Sequence, residues 1–524
     1  MTFLFIQFLP TGSREEPYFD FFKRIISASL IGAYSDNDFK TARDLIYEKI
    51  WLLLKQSSYY YLEEKYVEPE WKEMISLHYI NTTYSFDNYV CRVHLFSDNK
   101  NINDNYLGFF TLRKINEPTI LFSKLYPNWN NLKADKTYVP EARVVMVHKE
   151  IHFGEITINI LTTPYFVQDG VVCCCAHSNL IMFSEFLNVS FGTNKILLSD
   201  IINSYYFSRE RSFPTKGLFV PQICETFYNN GISVDVNGIV NHSNKKMTKS
   251  CIDRIKSQID SNIPVIMGFR SHAVLIIGYY FENNNTHFVF YDDSGYLVSL
   301  LNDDEYNYSS FIYSFDESIF FNKRESFVFF FFQPERVYTR SHEIIFKMND
   351  LLAKHKARIT NTRVYIADIS LCKSFLKKHC IDETRRVDID NFAAITDLHY
   401  AWCYELEYSS RDKDNTQCLI YFLDSTFCIS CRSLRFLSGK INTPFPIDQR
   451  LELNGVLKSM DINDPPRFFN KPRTEGFRYV PVGYPFSTNV ANIAEDDDDD
   501  FIKNKVVRKP DEKPDEKPDG NKMK

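Results

Sequence analysis

The chain has 524 residues, of which 44% are hydrophobic and 24% charged, a composition typical of a globular protein with two to four domains. Its net charge is −6 and no face-wide basic excess is visible, which makes nucleic acid a poor first candidate for a partner. The twelve cysteines, several of them adjacent, do not form the spaced pattern of a disulfide framework. We therefore expect reduced thiols and a cytoplasmic location.

No segment of the sequence has the length of a membrane span. The apolar run at the N-terminus has no basic region before it and breaks at Pro10, too early for a signal peptide or a span. The densest apolar stretch, "FVFFFFQP" from Phe327 to Pro334, fits a buried strand. We expect no membrane partner.

The first section, residues 1–135, has the pattern of an accessory α+β domain. The segment "DFKTARDLIYEKIWLLLKQ" repeats apolar residues at helical spacing, and Asp38 is the predicted cap of that helix. Strand-like runs follow at Tyr89 to Phe96 and Tyr106 to Arg113. After this section, "VVMVHKEIHFGEITINILTTPYF" alternates apolar and polar residues and predicts a hairpin.

The middle section, residues 136–335, places helices first and apolar strands after them. A helix follows the run of three cysteines and is predicted to end near Leu187, and another begins at Pro221 and stops at Gly231. Four apolar strands follow, the second of which opens on His272. This order predicts helices packed on one face of an antiparallel sheet.

A third section, residues 336–490, predicts a second accessory α+β domain, with the helix "SHEIIFKMNDLLAKHKA" and the paired strands "YAWCYELEYS" and "QCLIYFLDST". The end of the chain, residues 491–524, contains "EDDDDD" and the repeated "KPDE". It is charged, proline-rich and without large apolar side chains, so it predicts a disordered tail.

Four residues of the middle section stand in an order that could support thiol catalysis: Gln168, Cys175, His272 and Asp292. A cysteine in the first turn of a helix has its thiolate stabilised by the helix dipole. A histidine on a nearby strand can exchange a proton with it, and a carboxylate can orient the imidazole. An upstream glutamine can donate a hydrogen bond to a developing oxyanion.

The motifs "CAHSNL" (Cys175 to Leu180), "HAVLIIGY" (His272 to Tyr279) and "YDDSG" (Tyr291 to Gly295) resemble those of papain-like cysteine peptidases. The resemblance is greatest to the branch that cleaves double-glycine leader peptides from bacteriocins, and it extends to uncharacterised bacterial proteins with "CAH" and "HAV" motifs. It covers about a third of the chain. It implies a papain-like domain with a Cys-His-Asp triad and no cofactor.

The sequence departs from that family at several positions. Ala176 and His177 stand where the family has Gly-Pro. The family's commoner glutamine spacing would make Cys174 the nucleophile, but the helical pattern after Cys175 favours Cys175. Asp293 is an alternative to Asp292, which directly continues the preceding strand.

The other cysteines of the run and His177 have structural interpretations that do not involve catalysis. Cys173 and Cys174 fit packing or loop positions, because a free cysteine behaves as a small hydrophobe. Zinc binding by the cysteine run with His177 is disfavoured, since adjacent side chains diverge and cannot fill tetrahedral corners. His177 is expected to be structural or to lie at the rim of the pocket.

The sequence therefore predicts a papain-like thiol hydrolase between two accessory domains, with a protein or peptide substrate. The same residues could catalyse deamidation or acyl transfer, since only the acceptor differs. A non-catalytic binding protein on a decayed peptidase fold is the alternative from another class. A protein partner could bind the accessory domains or the tail.

Overall fold

The structure is a computed structural model. It describes residues 6–7, 18–132, 141–204, 215, 217–239, 245–282, 285–292, 312–321, 326–353, 359–379, 396, 398–409, 416–426, 456–458 and 477–481. These residues belong to one compact unit, Met1–Phe486. The predicted tail at 491–524 lies outside the described residues, and the predicted boundaries near 135 and 335 stay predictions.

The described ranges contain both helices and strands. The helices are α1 (Phe19–Ser27), α2 (Asp36–Gln56), α3 (Pro69–Leu77), α4 (Ile102–Asn105), α5 (Cys175–Phe191), α6 (Leu198–Ser204), α7 (Val220–Asn229), α8 (Lys245–Asp260), α9 (Ser341–Leu351) and α10 (Ile369–His379). The strands are β1 (Ile6–Gln7), β2 (Tyr59–Tyr66), β3 (Phe86–Phe96), β4 (Tyr106–Ile115), β5 (Phe122–Pro127), β6 (Glu141–Val145), β7 (Val147–Phe153), β8 (Ile156–Thr162), β9 (Tyr165–Phe166), β10 (Val234–Ile239), β11 (Val265–Phe269), β12 (His272–Glu282), β13 (Asn285–Tyr291), β14 (Ile312–Asp316), β15 (Phe327–Phe332), β16 (Ile359–Asp368), β17 (Tyr400–Ser409), β18 (Thr416–Asp424), β19 (Val456–Lys458) and β20 (Phe477–Pro481).

The first sheet is antiparallel, in the order β1-β2-β3-β4-β5-β9, and α2 packs against β3, β4 and β5. The apolar stripe of α2 is buried, including Ile46 and Ile50. Ser35, not Asp38, caps this helix: the Ser35 hydroxyl accepts the Asp38 N–H at 3.2 Å, while the Asp38 carboxylate accepts the Ser35 N–H at 2.9 Å. The prediction of Asp38 as the cap was therefore wrong. Asp38 is the third residue of the helix and the other member of a reciprocal pair of hydrogen bonds with Ser35.

The central sheet follows the order β10-β15-β11-β12-β13-β14, with β6 pairing with β12 and β20 pairing with β6. Helices α5 and α8 pack against it. Strand β12 is buried from Ala273 to Tyr280, because neighbouring strands and helices cover it. Gly278 lets β6 approach, since a Cβ there would collide with the Arg143 carbonyl oxygen. Helices on antiparallel sheets make the fold α+β, as the sequence predicts.

A third sheet has the order β16-β17-β18-β19. Its core with α9 contains Ile344, Met348, Trp402 and Leu423. Strand β16 contacts α8. The strands β17 and β18 pair from Ala401 with Asp424 to Ser409 with Thr416, which confirms the predicted pairing of these two strands.

The predicted hairpin before the cysteine run is also confirmed, because β7 pairs with β8 from Val147 to Thr162. Its apolar face, with Ile158 and Ile160, packs on Phe96 and Tyr106 of the first sheet. Among the helices of the described ranges, none combines the length and apolar character needed to cross a bilayer.

Candidate active site

Cys175 is the first residue of α5, and its side chain is half-buried. Cys174 is the N-cap, with an extended backbone at φ −98° and ψ 179°. The helix runs four residues past the predicted end at Leu187, to Phe191, where Gly192 adopts φ +68° and donates its N–H to the Asn188 carbonyl at 3.0 Å. The Cys175 thiol therefore lies at the positive end of a helix of 17 residues.

The turn before α5 is organised by a buried carboxylate, Asp169. One of its oxygens accepts the backbone N–H groups of Val171, Val172 and Cys173 at 3.1, 3.0 and 2.7 Å. The other accepts the Tyr79 hydroxyl at 2.6 Å. Because three consecutive donors converge on a single oxygen, the carboxylate fixes the path of the chain just before Cys175.

His177 completes the helix start from the other side. It is fully buried, and its Nδ1 accepts the backbone N–H of Cys174 at 3.4 Å. Burial lowers the pKa of His177 to about 4, against a smaller opposing effect of Asp169. His177 is therefore neutral at physiological pH and acts in the place of the usual capping side chain. The presence of a histidine at position 177 thus has a structural account.

The backbone N–H groups of residues 171–174 are all occupied, three by Asp169 and the fourth by His177. The next N–H along the chain, that of Cys175, makes no hydrogen bond to any residue that the structure describes. A donor at a helix N-terminus beside the sulfur is suited to an oxyanion formed by attack of that sulfur.

His272 and Asp292 are brought together by neighbouring strands. His272 opens β12 and Asp292 directly follows β13, the strand paired with β12. The His272 Nε2–H donates to Asp292 Oδ1 at 2.9 Å. The side chains of His272 and Asp292 are 7% and 0% exposed, so water competes little for this hydrogen bond.

The Cys175 side chain also acts on the His272 ring as a hydrogen-bonding and charged partner in the electrostatics of the site. Since Nε2 is bonded to Asp292, the ring presents Nδ1 as its other polar atom. Burial disfavours the charged ring, but the hydrogen bonds to Asp292 and Cys175 outweigh it and raise the pKa of His272 to about 10. At neutral pH His272 is therefore an imidazolium in contact with both partners.

The other candidates occupy distinct positions around this centre. Cys173 is fully buried, whereas Cys174 is half-buried and its thiol donates to the Thr215 carbonyl at 3.6 Å. Gln168 is half-buried and lies in the segment between β9 and α5; its oxyanion role stays a prediction. Asp293 lies outside the described residues.

Two findings concern alternative chemistry. Eight cysteines of the described ranges, among them Cys173, Cys174 and Cys175, are free thiols. Within those ranges there is also no group of three or more His, Cys, Asp or Glu side chains arranged to hold a metal ion.

Sequence reasoning missed Asp169 and Tyr79. A signal for Asp169 was present, since Asp before Gly is a common start of a turn in which the carboxylate accepts nearby backbone N–H groups. Gly170 supplies the required positive φ of +73°. Tyr79 is 90 residues away in the chain, and no local pattern indicates its contact with Asp169.

No protein-family model matches the chain, and no curated protein matches it either. Among solved structures, the chain is similar to the crystal structure of UfSP from C. elegans, with 14% sequence identity and a TM-score of 0.26. The match covers 38% of this chain and 36% of that one, so it spans about a third of either protein. This likeness is too distant to carry an argument about activity.

Proposed function

We propose that the chain is a papain-like thiol hydrolase that cleaves peptide or isopeptide bonds through Cys175, His272 and Asp292. The observation that carries the proposal is the 2.9 Å hydrogen bond between His272 and Asp292, together with the electrostatic interaction of the same ring with the Cys175 side chain. The sequence predicted these three residues from separate motifs; Cys175 begins α5, His272 begins β12, and Asp292 follows the end of β13, the strand paired with β12. A nucleophile, a base and an orienting carboxylate in this order are the elements of thiol acyl transfer.

In the first half of the reaction, the Cys175 sulfur attacks the substrate carbonyl carbon as the thiolate, while its proton resides on His272. The carbonyl π electrons move to the oxygen, which accepts hydrogen bonds from the Cys175 N–H and from Gln168. His272 then gives its proton to the leaving amine as the C–N bond breaks. A thioester on Cys175 remains.

In the second half, His272 takes a proton from a water molecule, which attacks the thioester carbonyl. The C–S bond breaks and a carboxylic acid is released, with His272 returned to its protonated form beside the Cys175 thiolate. Asp292 keeps the ring oriented throughout by accepting the Nε2–H. Asp292 does not itself take up the proton.

A mixed peptide library that includes isopeptide-linked members tests the proposal. The full chain is incubated with the library in water enriched in oxygen-18, and the products are identified by mass spectrometry. Hydrolysis predicts new carboxyl termini that carry the heavy oxygen. They should be present with wild type and with Cys174→Ala but absent with Cys175→Ala.

Other products would indicate other functions of the same thiol. Glutamine converted to labelled glutamate without cleavage would indicate deamidation, and joined peptides would indicate acyl transfer. If no product depends on Cys175, the enzyme proposal is contradicted and the non-catalytic binding protein is favoured.

A further inference from the structure

Asn179 connects the helix of Cys175 to the strand of His272. It lies one turn after Cys175 on α5, and its Nδ2 donates to the Cys175 carbonyl at 2.8 Å. The same Nδ2 donates to the Ala273 carbonyl on β12, also at 2.8 Å. Ala273 directly follows His272, so one amide group is bonded to the backbone of the nucleophile and to the backbone next to the base.

The environment of Asn179 favours a specific role for this amide. The residue is only 3% exposed, and both N–H bonds of its nitrogen point to carbonyls on different elements. Its Oδ1 is buried and makes no hydrogen bond within the described part of the chain. A buried acceptor without a partner costs stability. The two hydrogen bonds made by Nδ2 must offset this cost.

Among common side chains, the amide nitrogen supplies this bridge well. A hydroxyl has a single proton and cannot donate to both carbonyls, and an apolar side chain of the same size donates to neither. Ser178 illustrates the difference: its hydroxyl donates to the Cys175 carbonyl at 3.0 Å, within its own helix. Asn179 therefore links the backbones of α5 and β12 beside Cys175 and His272.

We infer that Asn179 is a positioning residue that holds Cys175 and His272 in mutual contact through their backbones. This inference rests on the proposed function for its chemical meaning. It makes Asn179 a part of the site that touches neither substrate nor the reacting atoms. A displacement of about 1 Å between such groups is large enough to reduce reactivity strongly.

The test replaces Asn179 by Leu, which keeps the approximate volume, and by Ala as a second variant. Ser178→Ala is the matched control, because it removes a hydrogen bond to the same carbonyl without removing the link to β12. Two quantities are measured on the full chain at a temperature where each variant is folded. They are the pKa of His272, by NMR of labelled histidine, and the rate of Cys175 alkylation by iodoacetamide.

The inference predicts that both Asn179 variants lower the pKa of His272 by about one unit or more, since the ring loses its contact with Cys175. Alkylation of Cys175 at neutral pH should slow by about tenfold. Ser178→Ala should match wild type in both. If the Asn179 amide only stabilises the fold, its replacement would lower the melting temperature and leave the pKa of His272 in the folded protein unchanged.

The outcomes separate this inference from the proposed function. An unchanged pKa of His272 in both Asn179 variants overturns the inference even if wild type is an active hydrolase. A lowered pKa supports it even if the peptide library shows no cleavage. If neither Asn179 variant folds while Ser178→Ala does, the amide is a general stability element and the inference fails.

Discussion

The side chains of His177 and His272 are both buried, yet at neutral pH the His177 ring is neutral and the His272 ring is positively charged. Burial disfavours the imidazolium in each case. His272 has a carboxylate acceptor at 2.9 Å, and its pKa rises to about 10. His177 accepts a backbone N–H through Nδ1, its Nε2 has no hydrogen-bond partner among the described residues, and its pKa falls to about 4. One histidine is thus suited to proton transfer and the other to helix capping.

The low pKa of His177 predicts a pH-dependent loss of stability. The unfolded chain binds a proton on His177 below about pH 6.5, whereas the folded chain binds it only below about pH 4. Stability therefore falls as the pH drops between these values, by about 3 kcal/mol from this residue. In His177→Gln, which keeps a capping oxygen, the difference between the free energies of unfolding at pH 7 and pH 4 should be smaller by about that amount. Equal pH dependence in the two proteins would contradict this account.

At the level of elements, the turn at residues 169–173 determines where α5 begins. We expect Asp169→Ala to lower the free energy of unfolding by about 3 kcal/mol, because three backbone donors and the Tyr79 hydroxyl lose their acceptor. Tyr79→Phe removes only one of these bonds and should cost about 1–2 kcal/mol. Denaturant titration measures both. A larger loss in Tyr79→Phe than in Asp169→Ala would show that Asp169 does not organise the turn.

The junction of β6 and β12 allows a second test. Gly278→Ala places a Cβ against the Arg143 carbonyl oxygen, so we expect a loss of about 2 kcal/mol or more. Gly268→Ala on β11 is the control, because its nearest neighbours would be carbonyl oxygens at 3.9 and 4.0 Å, and it should change stability by less than about 1 kcal/mol. Thermal unfolding compares them, and equal effects would contradict the close approach of β6.

The elements were predictable from the sequence to the extent that their signals are local. The strand of His272 is apolar along its length, and the helix after Cys175 repeats apolar residues, so both were predicted near their observed starts. The cap of α2 was missed because Ser35 and Asp38 each satisfy the other, and the pattern alone does not say which is the N-cap. The hydrogen bond from Tyr79 to Asp169 joins residues that are 90 positions apart in the chain, a contact that periodicity does not encode.

At the scale of the whole molecule, a buried charge network joins the central sheet to the third sheet. Asp260 at the end of α8 pairs with Arg143 of β6 and with Arg363 of β16, the latter at 3.4 Å. Arg363 also pairs with Glu405 of β17 at 3.1 Å. The Ser261 hydroxyl accepts the Ile366 N–H at 2.9 Å beside it. The sequence predicted the two sheets, but not that charged residues would lie between them.

Arg363→Met tests how far the third sheet stabilises the central one. Removing the guanidinium leaves Asp260 and Glu405 buried with fewer partners, and we expect a loss of about 3–5 kcal/mol in the free energy of unfolding. Arg340→Met is the control: its pair with Asp235 at 3.5 Å is made by a side chain that is 49% exposed, so its loss should cost less than about 1 kcal/mol. Similar effects from both variants would show that the network does not couple the sheets.

The rate at which each cysteine is alkylated by iodoacetamide, measured by peptide mapping from pH 6 to pH 11, tests the central claim most directly. We expect Cys175 to react about tenfold faster than Cys174 at neutral pH, because His272 holds the proton of the attacking thiol. This advantage should be lost in His272→Ala, and in wild type it should decline as the pH rises past about 8.5, where unperturbed thiols also ionise. Faster labelling of Cys174, or a Cys175 rate that is the same with and without His272, would contradict the assignment of Cys175 and His272 as a catalytic pair.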